Sequence, residues 1–304
     1  MTIQSHTGPI EQTVLPATRD LGDFSVRRAL PSAKRRMVGP FVFLDSFGPV
    51  VMRPGQGVDT RPHPHIGLAT VTYLIDGEID HRDSESYVQT IRPGEVNLMT
   101  AGRGIVHSER SSPESRARSE AMFGFQAWLG LPTGQEETAP GFQHVAAADV
   151  PLIADHGVDV RLLAGSYSGA RSPTSVFSDT LYADVVLGAG MRFAIESDHV
   201  ERAIYIVGGA IEIEGQTGTF AQDQLVLFRP DADVVVRAVG PTRLMLLGGE
   251  PLDGPRHVFW NFVSSRKDRI EQAAEDWRAR RFPGVPGDEA EFIPLPDMPR
   301  PSAA

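Results

Sequence analysis

The sequence predicts an all-β protein with two domains, and three observations lead to this prediction. Short apolar stretches, such as residues 71–75, 203–207 and 244–247, are each followed directly by Asp or Gly. They recur at intervals of roughly ten residues, which is typical of a β-sandwich or β-barrel. A chain of 304 residues also exceeds the usual size of one domain. Frequent Gly and Pro, 30 and 24 residues, supply the turns between strands.

The division between the two domains is predicted near residue 135. Residues 131–141 contain Pro, Gly and Glu in a loop-like pattern, so we expect domains at 1–135 and 136–304. The stretch YLIDGE that begins at Tyr73 is similar to YIVGGAIE, which begins at Tyr205. This similarity indicates that one β-domain has been duplicated.

One helix is predicted near the C-terminus. Ser265 stands three residues before Asp268, a spacing that predicts a cap at the start of a helix. Apolar side chains then repeat on one face, namely Ile270, Ala273, Ala274 and Trp277. We expect this short helix to pack on a barrel, with its charged face in solvent.

Composition excludes several classes of function. A net charge of -10 without a basic block argues against direct nucleic-acid binding. The absence of cysteine excludes disulfides, thiolate metal sites and cysteine nucleophiles. No secretion signal or long apolar segment is evident, so we expect a cytoplasmic protein without membrane contact.

Two pairs of side chains predict a metal site. His63 and His65 stand two residues apart, and His107 and Glu109 repeat this spacing about 40 residues later. Residues i and i+2 of a strand point to the same face, so two neighbouring strands can each supply two ligands. Three imidazoles and one carboxylate suit iron(II), manganese, cobalt, nickel or copper, and ligand type alone does not choose among them.

A second metal site is not expected in the C-terminal half. His199 and Glu201 form a similar pair there, but no later histidine motif completes it. Four other histidines have no partner at ligand spacing and are interpreted as structural or surface residues: His81, His144, His156 and His257. Trp128 is expected to have a packing role.

Three stretches together resemble the pirin family of bicupins. They are HPHIG from His63, MTAGRGIVHSE from Met99 and QAWLGLP from Gln126. The resemblance implies two cupin-type β-barrels, the first of which holds one iron(II) ion through His63, His65, His107 and Glu109. The sequence departs from common motifs at Ile66, where Arg is frequent, and at Ala69, where many cupins have a metal-binding Glu. The first departure leaves the polarity of the pocket mouth, and with it the choice of substrate, open.

The resemblance also implies a function. Pirin-like proteins are associated with quercetin 2,3-dioxygenase activity, in which a metal and dioxygen act on a flavonol. Glu109 is then predicted to be the catalytic base as well as a ligand. The alternative is a redox-sensing regulatory protein, in which the oxidation state of the iron changes binding to a protein partner. Neither alternative requires direct contact with nucleic acid.

Overall fold

Strands dominate the computed structural model, which describes residues 8–20 and 24–297. The first and last residues of the predicted domains, 1–7 and 298–304, lie outside this range. The strands in chain order are β1 Ile10–Val14, β2 Ala17–Asp20, β3 Ser25–Leu30, β4 Phe41–Met52, β5 Asp59–His65, β6 Leu68–Asp76, β7 Ile79–Asp83, β8 Val88–Ile91, β9 Val96–Thr100, β10 Ile105–Arg110, β11 Glu120–Gly130, β12 Gly141–Val145, β13 Leu152–Asp155, β14 Val158–Tyr167, β15 Ala170–Arg171, β16 Thr180–Leu187, β17 Arg192–Ile195, β18 Glu201–Gly208, β19 Ala210–Ile213, β20 Phe220–Ala221, β21 Leu225–Phe228, β22 Val234–Ala238, β23 Thr242–Gly249, β24 His257–Phe259 and β25 Phe262–Ser264. The helices are α1 Pro113–Arg116 and α2 Lys267–Arg278, with a 3-10 turn at Thr133–Gln135.

Each half of the molecule forms a barrel from one large and one small sheet. The large sheet of the first barrel has the order β12-β9-β6-β11-β4-β3-β2, and its small sheet has the order β5-β10-β7-β8. The second barrel repeats these orders as β1-β21-β18-β23-β16-β14-β13 and β17-β22-β19-β20. The repeat confirms the predicted pair of cupin-type barrels. No helix of the described residues is long and apolar enough to cross a membrane.

The two barrels exchange strands. β1, near the start of the chain, pairs with β21 in the second barrel, while β12 pairs with β9 in the first barrel. β12 lies beyond residue 135 and still belongs to the first barrel. Each predicted domain therefore contributes one strand to the barrel of the other. The boundary itself stays a prediction.

The duplicated stretch lies at the same place in each barrel. β6 ends before Gly77, and β18 ends before Gly209, with φ values of +85° and +82°. Only glycine adopts such a backbone conformation without strain, so each chain can turn directly into the next strand. The next strands are β7 and β19, which belong to the small sheets.

A shared apolar core joins the barrels. It contains buried side chains from both large sheets, including Tyr73 and Phe125 of the first and Tyr182 and Tyr205 of the second. The Tyr73 hydroxyl donates a hydrogen bond to Asp184 across this interface at 2.6 Å. Burying such a surface is the main stabilising contribution to the association of the two halves.

Helix α2 has the predicted apolar face and a different start. Its buried residues are Ile270, Ala273, Ala274 and Trp277, which confirms the predicted face. The predicted cap at Ser265 is wrong, because Arg266 is the N-cap residue and its side chain makes no capping bond. The Ser265 hydroxyl instead donates to the buried carboxylate of Glu136 at 3.0 Å, which fixes the preceding loop.

Candidate metal centre

Local sequence places two histidines of β5 on one face. β5 is the outer strand of the small sheet, where Pro62 and Pro64 are tolerated because a missing N–H costs little at an edge. His63 lies directly opposite His107 of the neighbouring strand β10. The next pairing is Glu109 with Thr60, so the register shifts between these two positions and β5 contains a bulge.

Three histidines converge inside the first barrel. Their ligand atoms lie within 4.8 Å of one another, and all three residues are buried: His63, His65 and His107. The Nε2 atoms of His65 and His107 are 3.1 Å apart. Among the described residues, this is the one group of three or more His, Asp or Glu side chains that could hold a metal ion.

The electrostatics of the group favour neutral rings. Burial lowers the pKa of His63 to about 4, although the Arg61 carbonyl opposes this shift. Burial and the neighbouring histidines lower the pKa values of His65 and His107 well below the usual range. Nδ1 of His63 donates to the Arg61 carbonyl at 2.8 Å, which leaves Nε2 as the free lone pair. The donor set therefore fits a divalent transition metal, which binds neutral imidazole nitrogen.

Glu109 lies in the same cavity but does not join the histidine group. Its carboxylate oxygen Oε1 is 3.4 Å from the Thr72 hydroxyl, and the residue is partly exposed. Burial within the protein raises its pKa, while His81, Thr72 and Gln126 lower it in part. The structure thus brings together three of the four predicted ligands, and the role of Glu109 as a ligand stays a prediction.

His63 and His65 line a cavity of about 210 Å³ whose wall also contains several aromatic side chains. The first barrel supplies Phe24, Phe43, Phe47 and Trp128. Residues from the C-terminal part of the chain complete the lining, namely Trp260, Asn261 and Ile293. The backbone N–H of Ile293 donates to the Pro62 carbonyl at 2.9 Å, which fixes this segment beside His63.

An ion pair and a stack of rings connect the far wall to the histidines. Arg28 binds both carboxylate oxygens of Asp45 at 2.9 and 2.8 Å. Its guanidinium lies 4.4 Å from the ring centre of Phe43, which stacks on Trp128 at 3.9 Å. Trp128 in turn meets His65 edge-on at 5.1 Å. Burial raises the pKa of Asp45, and Arg28 opposes this shift.

The two residues that depart from common motifs do not line the cavity. Ile66 packs against Phe262 and helix α2 in a separate apolar cluster, and its effect on substrate choice stays a prediction. Ala69 belongs to the core between the barrels. Alternate residues of β6 point to opposite faces, so Thr72 reaches the cavity and a side chain at position 69 does not.

The predicted pair in the second half makes other contacts. His199 binds Asp179 through Nδ1 at 2.6 Å and the Ser166 carbonyl through Nε2 at 3.0 Å. The Glu201 carboxylate accepts the backbone N–H of Gly39 at 2.6 Å and also pairs with Arg35. Both side chains therefore connect structural segments.

Sequence reasoning missed residues that surround the site. His81, interpreted as structural or surface, is buried with its Nδ1 atom 3.4 Å from Nδ1 of His107. The i, i+2 spacing of His81 and Asp83 was a signal that could have found them, because it matches the ligand pairs. Arg28 and Asp45 come from separate strands, and no local pattern connects them.

Comparisons with known proteins decide the family. The profile of the Pirin family matches residues 23–129, and that of the Pirin C-terminal cupin domain matches residues 182–283. The chain belongs to the pirin family. A pirin-like protein of Caulobacter vibrioides is 48% identical over 282 residues, which cover 92% of this chain and 96% of the relative.

Other pirin relatives carry the name of an activity. A Pseudomonas aeruginosa protein, provisionally named quercetin 2,3-dioxygenase, is 36% identical over 96% of this chain and 93% of its own length. The crystal structure of a quercetin 2,3-dioxygenase from Acinetobacter baumannii has a TM-score of 0.87 and 30% identity, with 96% of this chain and 97% of that chain covered. The Escherichia coli pirin YhhW, solved with nickel(II), has a TM-score of 0.62 at 17% identity over 79% of this chain and 99% of that chain, which shows the shared fold.

Proposed function

We propose that this pirin is a metal-dependent dioxygenase that oxidatively cleaves a ring of quercetin-like flavonols. The observation that carries the proposal is the buried three-histidine group, two members of which line a cavity with aromatic side chains in its wall. The names of the Pseudomonas and Acinetobacter relatives support the same activity. Cytoplasmic location, as expected from the sequence, is part of the proposal.

The proposed ligands are His63, His65, His107 and Glu109, and the proposed metal is iron(II). Glu109 lines the same cavity as His63 and His65, which is what supports its place as the fourth ligand. Four ligands leave two positions of an octahedral ion open for substrate and dioxygen. Bound there, iron(II) would supply a Lewis acid and the electrons with which dioxygen reacts.

The cavity fits one end of a flat polyphenol. Ligand pockets usually enclose about 300–1,000 Å³, and this cavity holds about 210 Å³. We therefore expect the hydroxyl-bearing ring of a flavonol to enter this cavity, with the remainder of the molecule near the opening. Arg28 and Asn261 line the same space and offer polar atoms to phenolic oxygens.

Glu109 is the proposed base as well as a ligand. Its carboxylate lines the cavity into which the flavonol hydroxyl would enter, so it is the acidic side chain placed to accept that proton. In this role, one carboxylate oxygen accepts the proton of the flavonol hydroxyl, and the resulting oxyanion binds more strongly to a cation. The hydroxyl of Thr72, which is 3.4 Å from Oε1, holds the carboxylate in place.

The test is anaerobic reconstitution with iron(II), followed by admission of air and measurement of quercetin absorbance and oxygen uptake. The parent protein is expected to bind one iron per chain and to consume both substrates. His63→Ala is expected to lose both properties, because it removes a ligand. Glu109→Gln is expected to lose turnover while keeping part of its iron, because the amide cannot accept the proton.

His156→Asn is the matched control. His156 is exposed, and its φ of +42° is a conformation that asparagine tolerates. The control should retain iron and turnover. A parent protein that binds iron stoichiometrically and leaves quercetin untouched would contradict the dioxygenase proposal. Parallel loading with manganese, cobalt, nickel and copper identifies the metal that supports the highest rate.

A further inference from the structure

Three buried side chains form a hydrogen-bonded series that begins at the histidine group: His107, His81 and Asp83. Nε2 of His107 faces His65, and its other nitrogen, Nδ1, is 3.4 Å from Nδ1 of His81. Nε2 of His81 is 3.1 Å from the carboxylate oxygen Oδ2 of Asp83. The side chains of His81 and Asp83 are 5% and 0% exposed, so water does not compete for these contacts.

Neighbouring groups hold this hydrogen-bonded series in one geometry. The second oxygen of Asp83, Oδ1, accepts the backbone N–H groups of Glu85 and Tyr87 at 2.9 and 3.1 Å. The ring of His81 stacks on Phe142 at 4.5 Å with an interplanar angle of 22°. Phe142 lies on β12, the strand that enters the first barrel from beyond residue 135. Neither Asp83 nor His81 can therefore turn freely.

These contacts determine which nitrogen carries each proton. A carboxylate only accepts, so the single ring proton of a neutral His81 lies on Nε2 and points to Asp83. Nδ1 of His81 is then an acceptor, and it receives the Nδ1 proton of His107. This arrangement leaves the lone pair of His107 on Nε2, the atom that faces the other two histidines.

We propose that Asp83, acting through His81, fixes the tautomer and orientation in which His107 can bind the metal. Both are positioning residues, because neither reaches the metal itself. The inference rests on the proposed metal centre and adds a determinant of its affinity. Groups that hold a ligating histidine in this way typically change metal affinity by about 10–100-fold when they are removed.

Asp83→Asn tests the direction of the hydrogen bonds in this series with almost no change in the shape of the side chain. The two backbone N–H groups require the amide oxygen at the Oδ1 position, so the amide N–H₂ must face His81. His81 would then carry its proton on Nδ1, and His107 would carry its own on Nε2, where it blocks the metal. We expect the affinity for cobalt(II) to fall by about 10–100-fold.

Asp80→Asn is the matched control on the same strand. Asp80 accepts a hydrogen bond from Thr90, a residue of β8, at 2.5 Å. Asp80→Asn has the same change of charge as Asp83→Asn, and the Asp80 side chain bonds Thr90 and not His81, Asp83 or His107. We expect its cobalt(II) affinity to equal that of the parent protein.

His81→Asn and His81→Leu test the middle member. The oxygen of asparagine occupies the place of Nδ1 and can accept from His107, whereas leucine has a similar shape without an acceptor. We expect His81→Leu to lose about 10–100-fold in cobalt(II) affinity and His81→Asn to recover most of that loss. Thermal unfolding without metal shows whether each variant is folded.

The readout is cobalt(II) absorption during competition with a chelator, which measures the site without turnover. A parent protein that binds no cobalt(II) would overturn the proposed metal centre and this inference with it. Normal parent binding with equal affinities for Asp83→Asn and Asp80→Asn would overturn the inference alone. Equal losses in His81→Asn and His81→Leu, with both variants folded, would also overturn it.

Discussion

The two barrels share a frame and differ in what fills it. One row across the large sheet of the first barrel contains Arg28, Asp45, Gln126 and Thr72, which are successive cross-strand partners. The same row in the second barrel contains Leu162, Ala183, Leu246 and Ile204. Every polar side chain of the first row thus has an apolar counterpart.

The small sheets show the same contrast. His63 lies opposite His107 in the first barrel, whereas Ile195 lies opposite Val234 at the equivalent place in the second. Ile195 and Val234 belong to the apolar cluster that fills the second barrel. The difference teaches that strand order and register leave the interior of a barrel free to become either a stabilising core or a cavity with chemistry.

The largest expected effect comes from making the histidine row apolar. His107→Val places at position 107 the residue type that Val234, opposite Ile195, supplies in the second barrel. Because one of the three histidine ligands is lost, we expect metal affinity to fall at least 1,000-fold, about 4 kcal/mol. Metal content after dialysis against a chelator measures the loss, with His156→Asn as control. Retention of one metal per chain would show that the histidine group is not the binding site.

The converse change should damage the second barrel. Leu246→Gln introduces the amide that Gln126 carries in the first barrel, but here it is surrounded by apolar side chains. An unsatisfied buried amide and the lost packing together cost about 2–4 kcal/mol of unfolding free energy. Denaturant unfolding of the metal-free protein measures this cost. An unchanged midpoint would mean that the second barrel also accommodates polar groups.

The smallest expected effect on stability is that of Gln126→Leu. Gln126 accepts a hydrogen bond from Thr72 at 2.6 Å, and Thr72 can donate to Glu109 instead. We therefore expect the unfolding free energy to change by less than about 1 kcal/mol. Quercetin turnover should fall nonetheless, because the cavity loses a polar wall. A stability loss as large as that of Leu246→Gln would remove the contrast between the barrels.

Local sequence patterns predicted most of the features that depend on residues close together in the sequence. The i, i+2 pairs located His63, His65 and His107, and helical periodicity located the buried face of α2. Features that depend on distant partners were not predictable. Ser265 binds Glu136 instead of capping the helix, and Arg28 meets Asp45 only after β3 and β4 have paired. For His81, the spacing to Asp83 was visible in the sequence, but the contacts with His107 on β10 and Phe142 on β12 depend on the folded sheets.

The exchanged strands constrain how a newly made chain completes its fold. Ile10 leaves the ribosome early, but its partner Phe228 is made only after the entire first barrel. At about 5–20 residues per second, β1 waits on the order of ten seconds or more for its sheet. β12, by contrast, joins β9 soon after it is made. The metal-binding half can therefore close during synthesis, whereas the second half is completed by a strand made before the entire first barrel.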